Sequence, residues 1–112
     1  FMVSGPGSPS VLSNMIVTIE QHVDFIFNCL DFLKTSGFTT IEAEADAEAA
    51  WVAQCNSIAG ETLFPTCNSW YLGANVPGKP RIFMPFVGGF PLYQTICEEV
   101  EAANYKGFRL AS

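Results

Sequence analysis

The sequence predicts an α/β fragment that is mainly helical: a long buried helix after a short strand, two further helices, a long irregular loop and a few short strands. Three observations carry that expectation. Apolar residues fall at positions 12, 15, 16, 19, 23, 26, 30 and 33, steps of three and four that draw one face of a helix. From Thr62 to Gly89 every periodicity disappears. Finally, 49% of the 112 residues are hydrophobic and only 14% charged, against ~25% charged in an average domain.

The opening element is a short apolar run, Phe1-Met2-Val3, read as a strand. It meets a loop of glycine, proline and serine, Gly5 to Ser10, that leads directly into the long helix. Val11, Val17, Phe25, Phe27, Cys29 and Phe32 widen its apolar stripe, and Glu20, Asp24, Asn28 and Asp31 supply a narrow wet side. A helix of this kind, ~24 residues and ~36 Å long, is expected to lie inside something. Ser10 or Ser13 could cap it, and N–H groups near Val11 to Asn14 carry the positive end of the helix dipole.

Strand, glycine-rich turn and helix together suggest a nucleotide-binding unit, but the details fail that test. Ser10 stands where the dinucleotide fingerprint needs its third glycine. Pro6 and Pro9 remove two N–H groups from any phosphate cradle, and no Lys-Ser/Thr pair follows as a P-loop requires.

Gly37 stops the first helix as a left-handed cap. Phe38 to Ala43 alternates and is β-prone, giving a short strand. Ala45 to Ala59 is a second helix ending at Gly60, with Glu44, Asp46 and Glu48 at its start to suit the dipole. The irregular stretch contains Trp70, a flat apolar face with one N–H donor, the Asn75 amide, and the neighbouring cations Lys79 and Arg81. That set suits a negatively charged ligand with a ring; the bland alternative is a surface loop tucked against the body. Phe90 to Asn104 is a third helix, with Glu98, Glu99 and Glu101 outside, and Phe108 to Leu110 a last short strand.

A net charge of −6 with five scattered basic residues argues against nucleic acid. Polar residues interrupt the long helix too often for a bilayer span. Cys29, Cys55, Cys67 and Cys97 form no CxxC pair, so a reduced, cytoplasmic chain without a metal site is expected. His22, the single histidine, is read as structural. The apolar excess points to a piece of a larger protein or a subunit with a large interface, and the first of these is preferred.

Gly5-Pro6-Gly7-Ser8-Pro9-Ser10 with Leu12-Ser13-Asn14-Met15 and Ile19-Glu20-Gln21-His22-Val23 resembles the C-terminal part of the Baeyer–Villiger monooxygenases, of the phenylacetone and cyclohexanone type. The resemblance continues through Ser69-Trp70-Tyr71, Gly73 to Arg81, Val87 to Phe90, Ile96 to Val100 and Gly107-Phe108, and so covers essentially the whole chain. It implies oxygen insertion beside a ketone carbonyl to give an ester or lactone, using O2, FAD and NADPH. It implies that residues 1–36 are the strand, loop and helix of a doubly wound FAD domain, 37–61 a strand and helix, 62–89 a cofactor and substrate loop, and 90–112 a helix and terminal strand. By the same resemblance Asn14 and Met15 lie at the flavin, and Ser10, Val11, Leu12, Ser13 and Met15 shape the substrate pocket. Trp70, Asn75 and Lys79 belong to a mobile loop over the nicotinamide cofactor. No catalytic residue is carried over: the family's glycine motifs, its fingerprint with a central histidine and its active-site arginine are not in this sequence. The isolated chain is therefore expected to be inactive and to self-associate. The alternative is a helical interaction or oligomerisation module without the chemistry.

Overall fold

The computed structural model describes residues 1–9 and 13–112. Three helices and one two-stranded sheet make up its regular structure: α1 (Met15–Ser36), β1 (Thr40–Ala43), α2 (Ala45–Gly60), α3 (Phe90–Ala102) and β2 (Phe108–Ala111), with 3₁₀ turns at Phe64–Thr66 and Trp70–Leu72. The fold is mainly helical, as expected, but the sheet is a single antiparallel pair, and no parallel doubly wound sheet stands among the described residues.

Asn14 caps α1, its Oδ1 accepting from the Ile16 and Val17 N–H groups at 3.1 and 3.4 Å. This corrects the choice of Ser10 or Ser13: an asparagine one residue before the helix reaches N2 and N3 directly. The helix begins at Met15, later than the apolar pattern from Leu12 suggested. Its far end behaves as expected, with Gly37 at φ 77° and its N–H returned to the Leu33 carbonyl.

The chain then pairs β1 with β2 in the register Thr40 to Ala111 through Ala43 to Phe108. Exposed Glu42 and Arg109 face each other across that register and form an ion pair. Helix α2 has no side-chain cap, and Asp46 and Glu48 in its first turn compensate through the dipole. Helix α3 starts at Phe90 after the N-cap Gly89, with Pro91 in its first turn, and ends at Ala102, two residues before the expected Asn104. Asn104 and Tyr105 follow with φ 53° and 58°. Asparagine tolerates that conformation. Tyr105 is held in it by burying its ring to 2% exposure and by donating its N–H to the Val100 carbonyl at 2.8 Å.

Two hydrophobic clusters result. Cys29, Leu33 and Tyr105 form one, joined by Phe25, Phe32, Phe38, Ile41, Val100 and Leu110 from both helices and both strands. Ala59, Leu72 and Phe83 form the other, with Phe64, Tyr71 and Val87 around them. Between the two runs a line of rings: Trp51 stacks on Phe86 at 5.3 Å, Phe86 meets Tyr93 at 5.7 Å, and Tyr93 meets His22 edge-on at 5.5 Å. All four cysteines are free.

Two expectations need correction. Residues Phe1 to Val3 form no strand; they stand exposed, and the loop after them makes only one isolated parallel bridge, Pro9 to Phe86. Three residues bounded by Gly5-Pro6-Gly7 cannot supply a ladder once no neighbouring strand is present to take it. Nor is α1 buried: Ile16, Val23 and Phe27 are 71%, 51% and 67% exposed, because α3 packs against only one side of it. The radius of gyration, 15.3 Å, exceeds the ~13 Å of a compact domain this long.

Candidate functional site

The expected site residues fall in two groups. Ser13, Asn14 and Met15 stand at the leading end of α1, and Trp70, Asn75 and Lys79 stand in the irregular loop. Ser10, Val11 and Leu12 lie outside the described residues.

At the helix end, the Asn14 carboxamide oxygen is spent on the cap, which leaves its amide nitrogen as the donor it can turn to a ligand. Ser13 Oγ pairs with Thr18 Oγ1 at 3.2 Å, and Thr18 donates to the Asn14 carbonyl at 3.0 Å. Thr18 is fully buried, so this small hydroxyl network fixes the first turn from inside. Met15 is half-buried.

The loop is tightly built despite its lack of periodicity. Ser69 Oγ accepts from the Tyr71 N–H and starts a 3₁₀ turn, and Gly73 ends it at φ 70°. Trp70 lies 4.1 Å from the Tyr71 ring, centroid to centroid, yet remains 60% exposed. The aliphatic stem of Lys79 lies across Gly73, where a Cβ would sit 3.0 Å from Lys79 Cδ. Arg81 clamps the loop, its guanidinium donating to Asn68 Oδ1 at 2.9 Å and to the Cys67 carbonyl at 2.8 Å. That leaves an exposed indole, an exposed amide at Asn75 and an exposed ammonium at Lys79 on one preorganised loop. An aromatic face with a nearby amide and cation fits a flat, anionic cofactor.

Three backbone hydrogen bonds tie the Trp70 loop to Gly7 and Ser8, ahead of α1. Gly7 donates to the Met84 carbonyl, Phe86 donates to the Ser8 carbonyl at 2.8 Å, and Met84 donates to the Tyr71 carbonyl at 2.9 Å. Residues 84–86 thus have the segment that leads into α1 on one side and the Trp70 loop on the other. Asn56 on α2 steadies this spine, its Oδ1 accepting from the Phe83 N–H at 3.0 Å and its Nδ2 donating to the Val52 carbonyl. Gly7 must be glycine: its φ is +76°, and a Cβ there would run into Trp51 Nε1. Sequence reasoning missed Asn56 and Trp51 as supports, because their partners lie tens of residues away and no local spacing marks them.

His22, expected to be structural, is 5% exposed and accepts the Ser4 N–H on Nδ1 at 3.0 Å. Its Nε2 is buried with no partner, a cost of ~1–3 kcal/mol, and burial lowers its pKa. Burial also raises Tyr93, Cys55 and Cys97, so none of these thiols is poised as a nucleophile. Among the described residues no group of histidine, cysteine and carboxylate could hold a metal ion, and no helix is long and apolar enough to cross a membrane.

No protein-family model matches the chain. Individual proteins do. It is 42% identical over 95% of its length to an acetone monooxygenase (methyl acetate-forming) of Gordonia sp. strain TY-5, and 34% identical over 94% of its length to a Baeyer–Villiger monooxygenase of Pseudooceanicola batsensis. The structure of cyclohexanone monooxygenase from Rhodococcus sp. Phi1 bound to NADP+ superposes on all of the chain with a TM-score of 0.91 at 37% identity. Other relatives are described as FAD-binding monooxygenases, and some matched structures hold both FAD and NADP. The chain spans about one fifth of the length of each, covering 20% and 19% of the two sequence relatives and 21% of that structure. These matches put the fold and its loop among the monooxygenases. Over the fifth of their length that it spans, the chain is similar in sequence and in fold to Baeyer–Villiger monooxygenases.

Proposed function

We propose that this chain is the C-terminal segment of a Baeyer–Villiger monooxygenase, which inserts one oxygen atom of O2 beside a ketone carbonyl to give an ester or lactone. The observation that carries the reading is the exposed Trp70, held on a clamped loop whose backbone is bonded through Met84–Phe86 to the segment that leads into α1. Trp70, Asn75 and Lys79 would hold NADPH by stacking, hydrogen bonding and charge. Asn14 and Met15 would meet FAD at the positive end of α1, where negative charge is stabilised. Ser13 and Met15, with Ser10, Val11 and Leu12, would shape the ketone pocket. When bound, FAD supplies oxygen activation and NADPH the reducing equivalents. The chain's own contribution is to place these groups and keep water from them. Four free thiols fit a reducing, cytoplasmic setting.

Alone, the chain would be inactive, since its donors make only one wall of each cofactor site. A second reading, an oligomerisation module without chemistry, draws on the exposed apolar side of α1, and the isolated chain is expected to self-associate through it. Trp70→Ala in the complete enzyme separates the two. Loss of one stacked ring, about 1 kcal/mol, should raise the KM for NADPH roughly fivefold and leave the FAD content unchanged. An unchanged NADPH dependence would take Trp70 out of the site, and a complete protein that never takes up flavin would favour the module.

A further inference from the structure

Among the described residues, Ser4 in the leading loop is bonded to α1 through the His22 side chain, whose hydrogen-bonding ability depends on its protonation. His22 Nδ1 accepts the Ser4 N–H, so in this arrangement Nδ1 carries no proton and the neutral ring keeps its hydrogen on Nε2. Protonation would place a hydrogen on Nδ1 and abolish the acceptor. Ser4 sits at φ 55°, a conformation that serine rarely adopts and that the bond to His22 helps to hold. The loop residues after it make the bonds to Met84 and Phe86, and Met84 in turn bonds to Tyr71 beside Trp70.

We propose that His22 is an acid-sensitive latch: while neutral it pins the Ser4–Pro9 loop to α1, and on protonation it releases that loop together with its hold on the Trp70 loop. The surroundings favour the neutral state. From α3 the ring meets Tyr93, whose neighbours are the Cys97 thiol on α3 and the Cys55 thiol on α2, and burial keeps all three protonated and uncharged. On α1 itself the nearest carboxylates in sequence, Glu20 and Asp24, are exposed and line the groove between α1 and α3. The Ser4 side contributes a backbone N–H and no charge. With a folded-state pKa below the ordinary value of 6.5, the latch is intact above about pH 6.5 and opens as pH falls toward the lowered pKa.

The test is nuclear magnetic resonance on the 112-residue chain, in which His22 is the only histidine and its imidazole nitrogens need no assignment. At neutral pH the nitrogen shifts should report a proton on Nε2 and a hydrogen-bonded Nδ1. On acidification, the Ser4, Gly7, Phe86 and Met84 amides should lose exchange protection in step with His22 protonation. The Phe38 and Thr39 amides, bonded at the other end of α1, should stay protected. In His22→Gln, whose side-chain oxygen accepts at every pH, the acid response should vanish. In His22→Phe, Ser4 should be unprotected throughout. Loop protection that ignores His22 titration, or loss of protection at Phe38 and Thr39 together with the loop, would overturn the proposal, and the wild-type titration decides this even if a variant fails to fold.

Discussion

In the closing half of α1, Cys29 and Leu33 are buried against Tyr105 and the sheet, as an amphipathic helix requires. In the leading half, Thr18 and His22 are the buried residues, at 0% and 5% exposure, while apolar Ile16, Ile19 and Val23 face outward. One helix therefore runs right side in at one end and inside out at the other. The difference has a physical reason at each place. Thr18 and His22 turn inward because they bond Asn14, Ser13 and Ser4, and so hold the leading loop in position. The apolar residues opposite them have no cover within this chain, which is what a helix seated in a longer enzyme would leave behind.

The sharpest way to break this contrast is to truncate one residue from each half. Leu33→Ala should cost about 3 kcal/mol of unfolding free energy by urea titration, through the cavity it opens in the Tyr105 cluster. Ile16→Gln, on the uncovered side, should stay within about 0.5 kcal/mol, and a loss as large as that of Leu33→Ala would show the leading half to be packed after all. Between these lies Gly7→Ala, which meets Trp51 and a φ of +76° at once. About 2 kcal/mol is expected, with the Phe86 amide losing hydrogen-exchange protection before the Phe38 amide does. Asn14→Ala removes the cap and should cost about 1 kcal/mol, read as fraying of the first turn of α1 alone.

Much of the chain was readable from sequence because its signals are local. Gly37 as a left-handed stop, the strand at Thr40–Ala43, the second helix to Gly60 and the irregular stretch holding Trp70 all follow from neighbours within a few residues. What failed was long-range or environmental. Phe1-Met2-Val3 looks like a strand until the absence of a pairing partner is known. Periodicity says that α1 has an apolar face but not whether this chain covers it. The roles of His22, Trp51 and Asn56 depend on Ser4, Gly7 and Phe83, and the bonds of Arg81 to Asn68 and Cys67 span more than a dozen residues. The loop's indole, amide and ammonium suggested an anionic ligand with a ring from their chemistry alone, but their assignment to a particular cofactor came through resemblance to a family, since they carry no spacing rule of their own.

Sedimentation velocity on the 112-residue chain, beside its Ile16→Gln variant, tests most directly the claim that the leading half of α1 is built to be covered by other polypeptide. Wild type should sediment above the mass of one chain in a concentration-dependent way, and the variant should shift toward the single-chain value. A folded wild-type chain that stays strictly monomeric at every concentration, with Ile16→Gln indistinguishable from it, would contradict the account.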